Sequence, residues 1–186
     1  MLLGLTGCWL AACGSSPPTR YFALAEVVPR EPVTTAIEGA PLRVESITLP
    51  AELDRLELVR HEGANRVRIA GSDRWAAPLD EQIRAVLSED LAARLPSGSV
   101  ANPGEPVTQD PRRLLSIEFV QFEVGESCAV TLQADWTLTQ PQGMSARGHE
   151  QVQTPARGQC DGQEAAALST ALGSLADRIA SQVRRM

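Results

Sequence analysis

Between Cys128 and Leu138 the side chains alternate without a slip. Cys128, Val130, Leu132, Ala134, Trp136 and Leu138 fall on one face; Ala129, Thr131, Gln133, Asp135 and Thr137 fall on the other. A strict period of two is a strand with one face in a core and one in water. Such a strand demands a cover on one side, and two segments of helical period supply it. Leu79, Ile83, Val86, Leu87, Leu91 and Leu95 form one stripe, with Pro78 at the start, Asp80 and Glu81 in the first turn, and Pro96 and Gly98 at the end. Leu168, Leu172, Leu175, Ile179 and Val183 form the second, within a helix expected over about 163–184. Alanine and glycine flank that stripe and permit close approach to a sheet.

Further strands are expected around this unit. Leu42–Leu49 is β-prone and stopped by Pro50; residues 56–60 and 66–70 flank Gly63 and Asn65, which suit a hairpin turn. Leu114–Val124 is a long strand whose apolar phase shifts between Phe119 and Val120, the mark of a bulge or of burial on both faces. Residues 145–153 are polar on both faces and predict an edge strand. Tyr21–Leu24 is a short first strand; 29–41 and 96–111 are loops, and Asp73–Trp75 is a loop leading into the first helix. The order predicts an α/β fold: a mixed β-sheet with two main amphipathic helices packed on it, as a two- or three-layer sandwich.

The N-terminus carries a different kind of information. A short apolar run ends in Leu10-Ala11-Ala12-Cys13 and is followed by Gly14-Ser15-Ser16-Pro17-Pro18-Thr19. Small residues before a cysteine, then a polar, proline-bearing stretch, have the form of a bacterial lipobox. Residues 1–12 are then a signal peptide, Cys13 is lipidated, 13–41 are tether and N-terminal segment, and 42–186 are the globular domain. Cys8, after Leu5-Thr6-Gly7, competes as the lipidated residue. No basic residue precedes Arg20, although secretory signals carry a basic n-region, so a start further upstream is expected. The apolar run falls short of a spanning helix. Gly14 after the cysteine, where no aspartate marks inner-membrane retention, favours the outer membrane. The domain would then face the periplasm.

That compartment gives the cysteines meaning. With Cys8 removed and Cys13 acylated, Cys128 and Cys160 remain as an even pair in an oxidising space, for which a disulfide is the default. Metal binding is not expected: two cysteines and two scattered histidines, His61 and His149, do not form a ligand cluster. The formal net charge of −6, with 17 arginines and no lysine, argues against tracking a nucleic acid backbone. It equally argues against holding anionic lipid by charge alone. No G-x-S-x-G, P-loop or G-x-G-x-x-G occurs, and neither histidine sits in a motif, so no enzyme and no cofactor is expected.

Taken in order, the lipobox cysteine, Tyr21-Phe22 after the tether, Leu53-Asp54-Arg55, and Arg74-Trp75 with Pro78-Leu79 opening an amphipathic helix resemble the ABC-type transport auxiliary lipoproteins, the PqiC/YmbA-like family. A second amphipathic helix closes the domain, as it does in the family. The resemblance departs at Leu56, where family members often carry proline, and the family pattern does not demand Cys128 and Cys160. It implies a periplasmic α/β domain on an outer-membrane lipid anchor. It also implies partnership with an MCE-type protein and an inner-membrane permease in moving lipid between membranes. A scaffold lipoprotein of another envelope assembly is the alternative.

Two places are candidate partner contacts. Asp73, Arg74 and Trp75 could present an aromatic beside a cation, although a tryptophan there also suits packing at the helix start. Arg147, His149 and Gln151 lie on the expected edge strand, which can accept another chain's strand. Self-association into a ring around a partner would use such surfaces.

Overall fold

The computed structural model describes residues 17–29, 41–63, 65–101, 113–140, 145–156 and 158–185. Cys8 and Cys13 lie outside them. Seven strands form around two helices: β1 Arg20–Phe22, β2 Leu42–Thr48, β3 Glu57–His61, β4 Val67–Trp75, α1 Leu79–Arg94, β5 Arg113–Val124, β6 Val130–Thr139, β7 Ser145–Thr154 and α2 Glu164–Val183. A single 3-10 turn, Ala51–Leu53, follows β2. The strands divide into a four-stranded sheet, β2-β5-β6-β7, and a three-stranded sheet, β1-β4-β3. β2 runs parallel to β5 and β1 parallel to β4, while the other pairs are antiparallel. An isolated bridge between His61 and Gly125 links the two sheets.

The alternation of β6 decides which face is covered. Val130, Leu132, Ala134, Trp136 and Leu138 are buried with Leu115, Ile117, Phe119, Phe122 and Val124 of β5. Both helical stripes close over them, Leu79 to Leu95 and Leu168 to Val183, every stripe residue being buried. The opposite face of the sheet carries Thr131, Gln133, Asp135 and Thr137. The phase shift at Val120 is a bulge: the register slips between Phe119 and Gln121, and Val120 turns outward. The extra residue lets Phe122 and Val124 return to the core side.

Three expectations are corrected. Asp73–Trp75 is not a loop but the end of β4. Its register with β3 slips between Glu57 and Val59, and its last three residues pair with β1. The alternating strand begins at Val130 rather than Cys128, because Cys128 takes a positive φ of 57° in the turn before it. β7 is an edge strand but is not exposed on both faces, since Glu150 and Val152 are buried. Glu150 accepts from Arg178 at 3.4 Å and from the Gln182 side-chain amide, which ties β7 to α2.

Residues 23–28, which follow β1, lie extended against the helices. The Leu24 N–H donates to Gln82 Oε1 at 2.9 Å, Ala25 to Ser169 Oγ at 3.1 Å, and Val27 to Asp90 Oδ1 at 2.8 Å. Burial pushes the Asp90 carboxyl up to about 6, against the opposing pull of the Val27 N–H and Arg94.

Gly148 of β7 stands opposite Trp136, and a Cβ there would lie 2.5 Å from the indole. Glycine is therefore required by a close approach, not by a turn. Gly148→Ala should destabilise the fold by about 1–3 kcal/mol, the range for overpacking, measured by urea unfolding. Cys128 and Cys160 are joined, with Cα atoms 4.7 Å apart at a sequence separation of 32. The bond fixes the approach to α2 against the β5–β6 turn. The Cys128→Ser, Cys160→Ser pair should lose about 3–4 kcal/mol by chain entropy, read from the same urea curves. Two alkylatable thiols in the mature protein would refute the bond.

Candidate docking site

The residues singled out on β4 separate once their burial is known. Asp73 and Trp75 are 2% and 4% exposed, so neither offers its side chain to a partner; Arg74, on the other face, is exposed and lies 3.5 Å from Glu57. Trp75 packs in the core ahead of α1. Asp73, itself buried, instead organises a partly buried network. Arg20 of β1, its direct cross-strand neighbour, donates Nε to Oδ1 at 2.7 Å and Nη2 to Oδ2 at 2.9 Å. Arg60 of β3 adds a third bond to Oδ2 at 2.8 Å and reaches Glu164, the first residue of α2, at 2.7 Å.

Hydrogen bonds from Arg20 hold the Asp73 carboxyl below its ordinary value, outweighing burial, and Arg60 adds to the effect. Burial alone would lower the Arg60 guanidinium, but its bonds to Glu164 and Asp73 hold it above the ordinary value. A cleft of about 490 Å³ opens beside the network, lined by Arg20, Arg60, Arg68, Glu126, Gln159, Cys160 and Asp161. Its arginines are already engaged: Arg20 also bonds Asp161 at 3.0 Å, and Arg68 pairs with Glu62. Sequence reasoning missed this network. Its signal was a single aspartate, Asp73, two residues before Trp75.

Arg147, His149 and Gln151 do lie together. All three are exposed, on the outward face of β7, opposite Thr137, Asp135 and Gln133 of β6. His149 Nδ1 is 2.7 Å from Asp135 Oδ1. The backbone matters more than the side chains. The Ala129 carbonyl points to β5, accepting from Gly125, and the next residue, Val130, donates toward Thr154 of β7. Alternation along an antiparallel ladder then directs the even-numbered residues of β7 to β6 and turns the N–H and C=O of Arg147, His149, Gln151 and Gln153 to the outer edge. Among the described residues no strand pairs with that edge. Nor do any three histidine, cysteine or acidic groups among them converge as a metal site. No helix described is long and apolar enough to cross a membrane.

A two-helix layer over a four-stranded sheet, with β7 as a polar edge strand among the described residues, defines the class as a layered α/β domain. The architecture is similar to that of two solved structures. One, a crystal structure of an uncharacterized protein, is 20% identical, covers 90% of this chain and 99% of its own, and gives a TM-score of 0.74. The other, a protein from Xanthomonas campestris, is 17% identical, covers 87% and 93%, and gives 0.69. The chain belongs to the ABC-type transport auxiliary lipoproteins: the model of that family, the ABC-type transport auxiliary lipoprotein component, matches residues 22–180. It is 29% identical over 138 residues to the intermembrane transport lipoprotein PqiC of Escherichia coli, spanning 74% of this chain and 72% of that one. The Shigella flexneri protein of the same name gives the same figures.

The network generates a signed prediction. Asp73→Asn leaves two guanidiniums without their shared anion, though Arg20 keeps Asp161 and Arg60 keeps Glu164, and should cost about 1–3 kcal/mol at pH 7. Because the folded-state pKa of Asp73 is depressed, its stabilisation is full above the unfolded value near 4 and lost as pH falls through the lower folded one. The gap between wild type and variant, followed by urea unfolding from pH 7 to pH 3, should narrow only at the acid end.

Proposed function

We propose that this chain is lipidated at Cys13, faces the periplasm from the outer membrane, and acts without catalysis as a docking subunit of an intermembrane lipid transport system. Its partners in this reading are an MCE-type protein and an inner-membrane permease. The observation that carries the reading is the match to the transport auxiliary family over residues 22–180, which begins just after the expected tether. The name of the Escherichia coli relative, an intermembrane transport lipoprotein, supports the same role. The open edge of β7 supplies the means, because backbone groups turned outward can add a partner's strand while Arg147, His149 and Gln151 read its side chains.

Crosslinking of the intact lipoprotein in membranes, followed by mass spectrometry, tests the partnership. The expected adduct is with an MCE-type protein, and Gln151→Pro should remove it by deleting an outward N–H without touching the ladder to β6. The variant's urea midpoint should stay near wild type. Cys13→Ala should abolish lipid labelling and membrane fractionation; persistent labelling would move the anchor to Cys8. Adducts only with peptidoglycan or a secretion complex would favour the scaffold alternative.

A further inference from the structure

Residues 23–28 belong to neither sheet, yet they are held. Their N–H groups are taken by side chains of both helices, Gln82 and Asp90 from α1 and Ser169 from α2. Val27 lies directly on Gly173, where a Cβ would come within 2.8 Å of the valine's own Cβ. At the N-terminal end, Arg20 fastens the segment to Asp73 and Asp161, and the Phe22 carbonyl accepts from Ala76. The burial is small. Leu24 is the one buried residue from Arg20 to Val28, and Tyr21 and Val28 are 68% and 76% exposed. Residues 23–28, with one buried apolar side chain and side-chain acceptors, open at far lower cost than the helices beneath them. Ahead of them β1 is latched by its three-residue ladder to β4 and the Arg20–Asp73 bonds, which must break before the whole segment leaves.

We propose that residues 20–28 are a detachable strap that sets the reach of the membrane tether. With the strap seated, residues 14–19 alone separate Cys13 from the body and span at most about 20 Å. With it detached, residues 14–28 join the tether and span at most about 50 Å. The domain could then stay near its own membrane or extend toward a partner without leaving its anchor. The consequence for reach rests on Cys13 as the anchor, whereas detachment itself does not.

Hydrogen-exchange mass spectrometry on the full chain carrying Cys13→Ser tests detachment apart from lipidation. The amides of Leu24, Ala25 and Val27, and that of Ala76, which donates to the Phe22 carbonyl of β1, should exchange at least about 100-fold faster than those of Leu172 to Ala180 in α2. Gly173→Ala should then separate strap from fold. The added methyl forces Val27 away, while alanine is the better helix former, so strap exchange should rise about tenfold with the urea midpoint retained or raised. Exchange of the three strap amides in step with the α2 core would overturn the proposal. So would a Gly173→Ala protein that loses global stability with the strap no more open than before. On a supported bilayer of phosphatidylethanolamine and phosphatidylglycerol, neutron reflectometry of the lipidated protein should place the Gly173→Ala domain further from the surface. An unchanged distance beside a detached strap would overturn the claim about reach.

Discussion

One carboxylate ties the three strands of the small sheet to one another. Asp73 takes two bonds from Arg20 and one from Arg60, and Arg60 passes the connection on to Glu164 at the head of α2. Four elements are thereby joined through polar groups: β1, β4, β3 and α2. Three-residue β1 has no hydrophobic claim of its own, with Arg20 and Tyr21 exposed and Phe22 half-buried. Its place beside β4 depends on charge-assisted bonds in a partly desolvated setting, where they are stronger than at the surface. Through β1 the same carboxylate governs where the N-terminal segment leaves the domain.

The four-stranded sheet rests on a different principle. Its core is apolar and deep, and α1 and α2 close it through stripes of leucine, isoleucine and valine. Small residues in α2, among them Ala171, Ala176 and Ala180, are fully buried and let the helix approach. The two halves differ in what removes them: acid weakens the first and overpacking the second. The outward face of the sheet stays polar, with threonine, glutamine and Asp135 on β6. Its edge strand is anchored from below by Glu150, so a partner could pair with β7 without having to stabilise it first.

Elements with one strong period were legible in the sequence. The alternation from Val130 to Leu138 and the two helical stripes were read to within a residue or two, because burial on one face leaves a repeating mark. The bulge at Val120 was visible as a break in that mark. What escaped were places where polar groups do the work of apolar ones. Asp73 looked like loop chemistry because an aspartate inside a strand contradicts β propensity unless a cation faces it, and that cation, Arg20, is 53 positions away. Cys128 continued the alternation by chance of spacing while sitting in a turn. The edge residues Arg147, His149 and Gln151 were found together, but the direction of their backbone groups came only from the ladder.

The contact between Trp136 and Gly148 gives the molecule an optical property. The indole lies against the backbone of edge strand β7, buried at 1% exposure, with its Nε1 unpartnered among the described residues. Such a ring emits in a dry, apolar field, and its nearest neighbour is the element a partner would touch. Any pull on β7 that admits water beneath Gly148 shifts that emission toward the red. Opening of β7 at this point is thus written into the emission of Trp136, against a background that includes the other buried indole, Trp75.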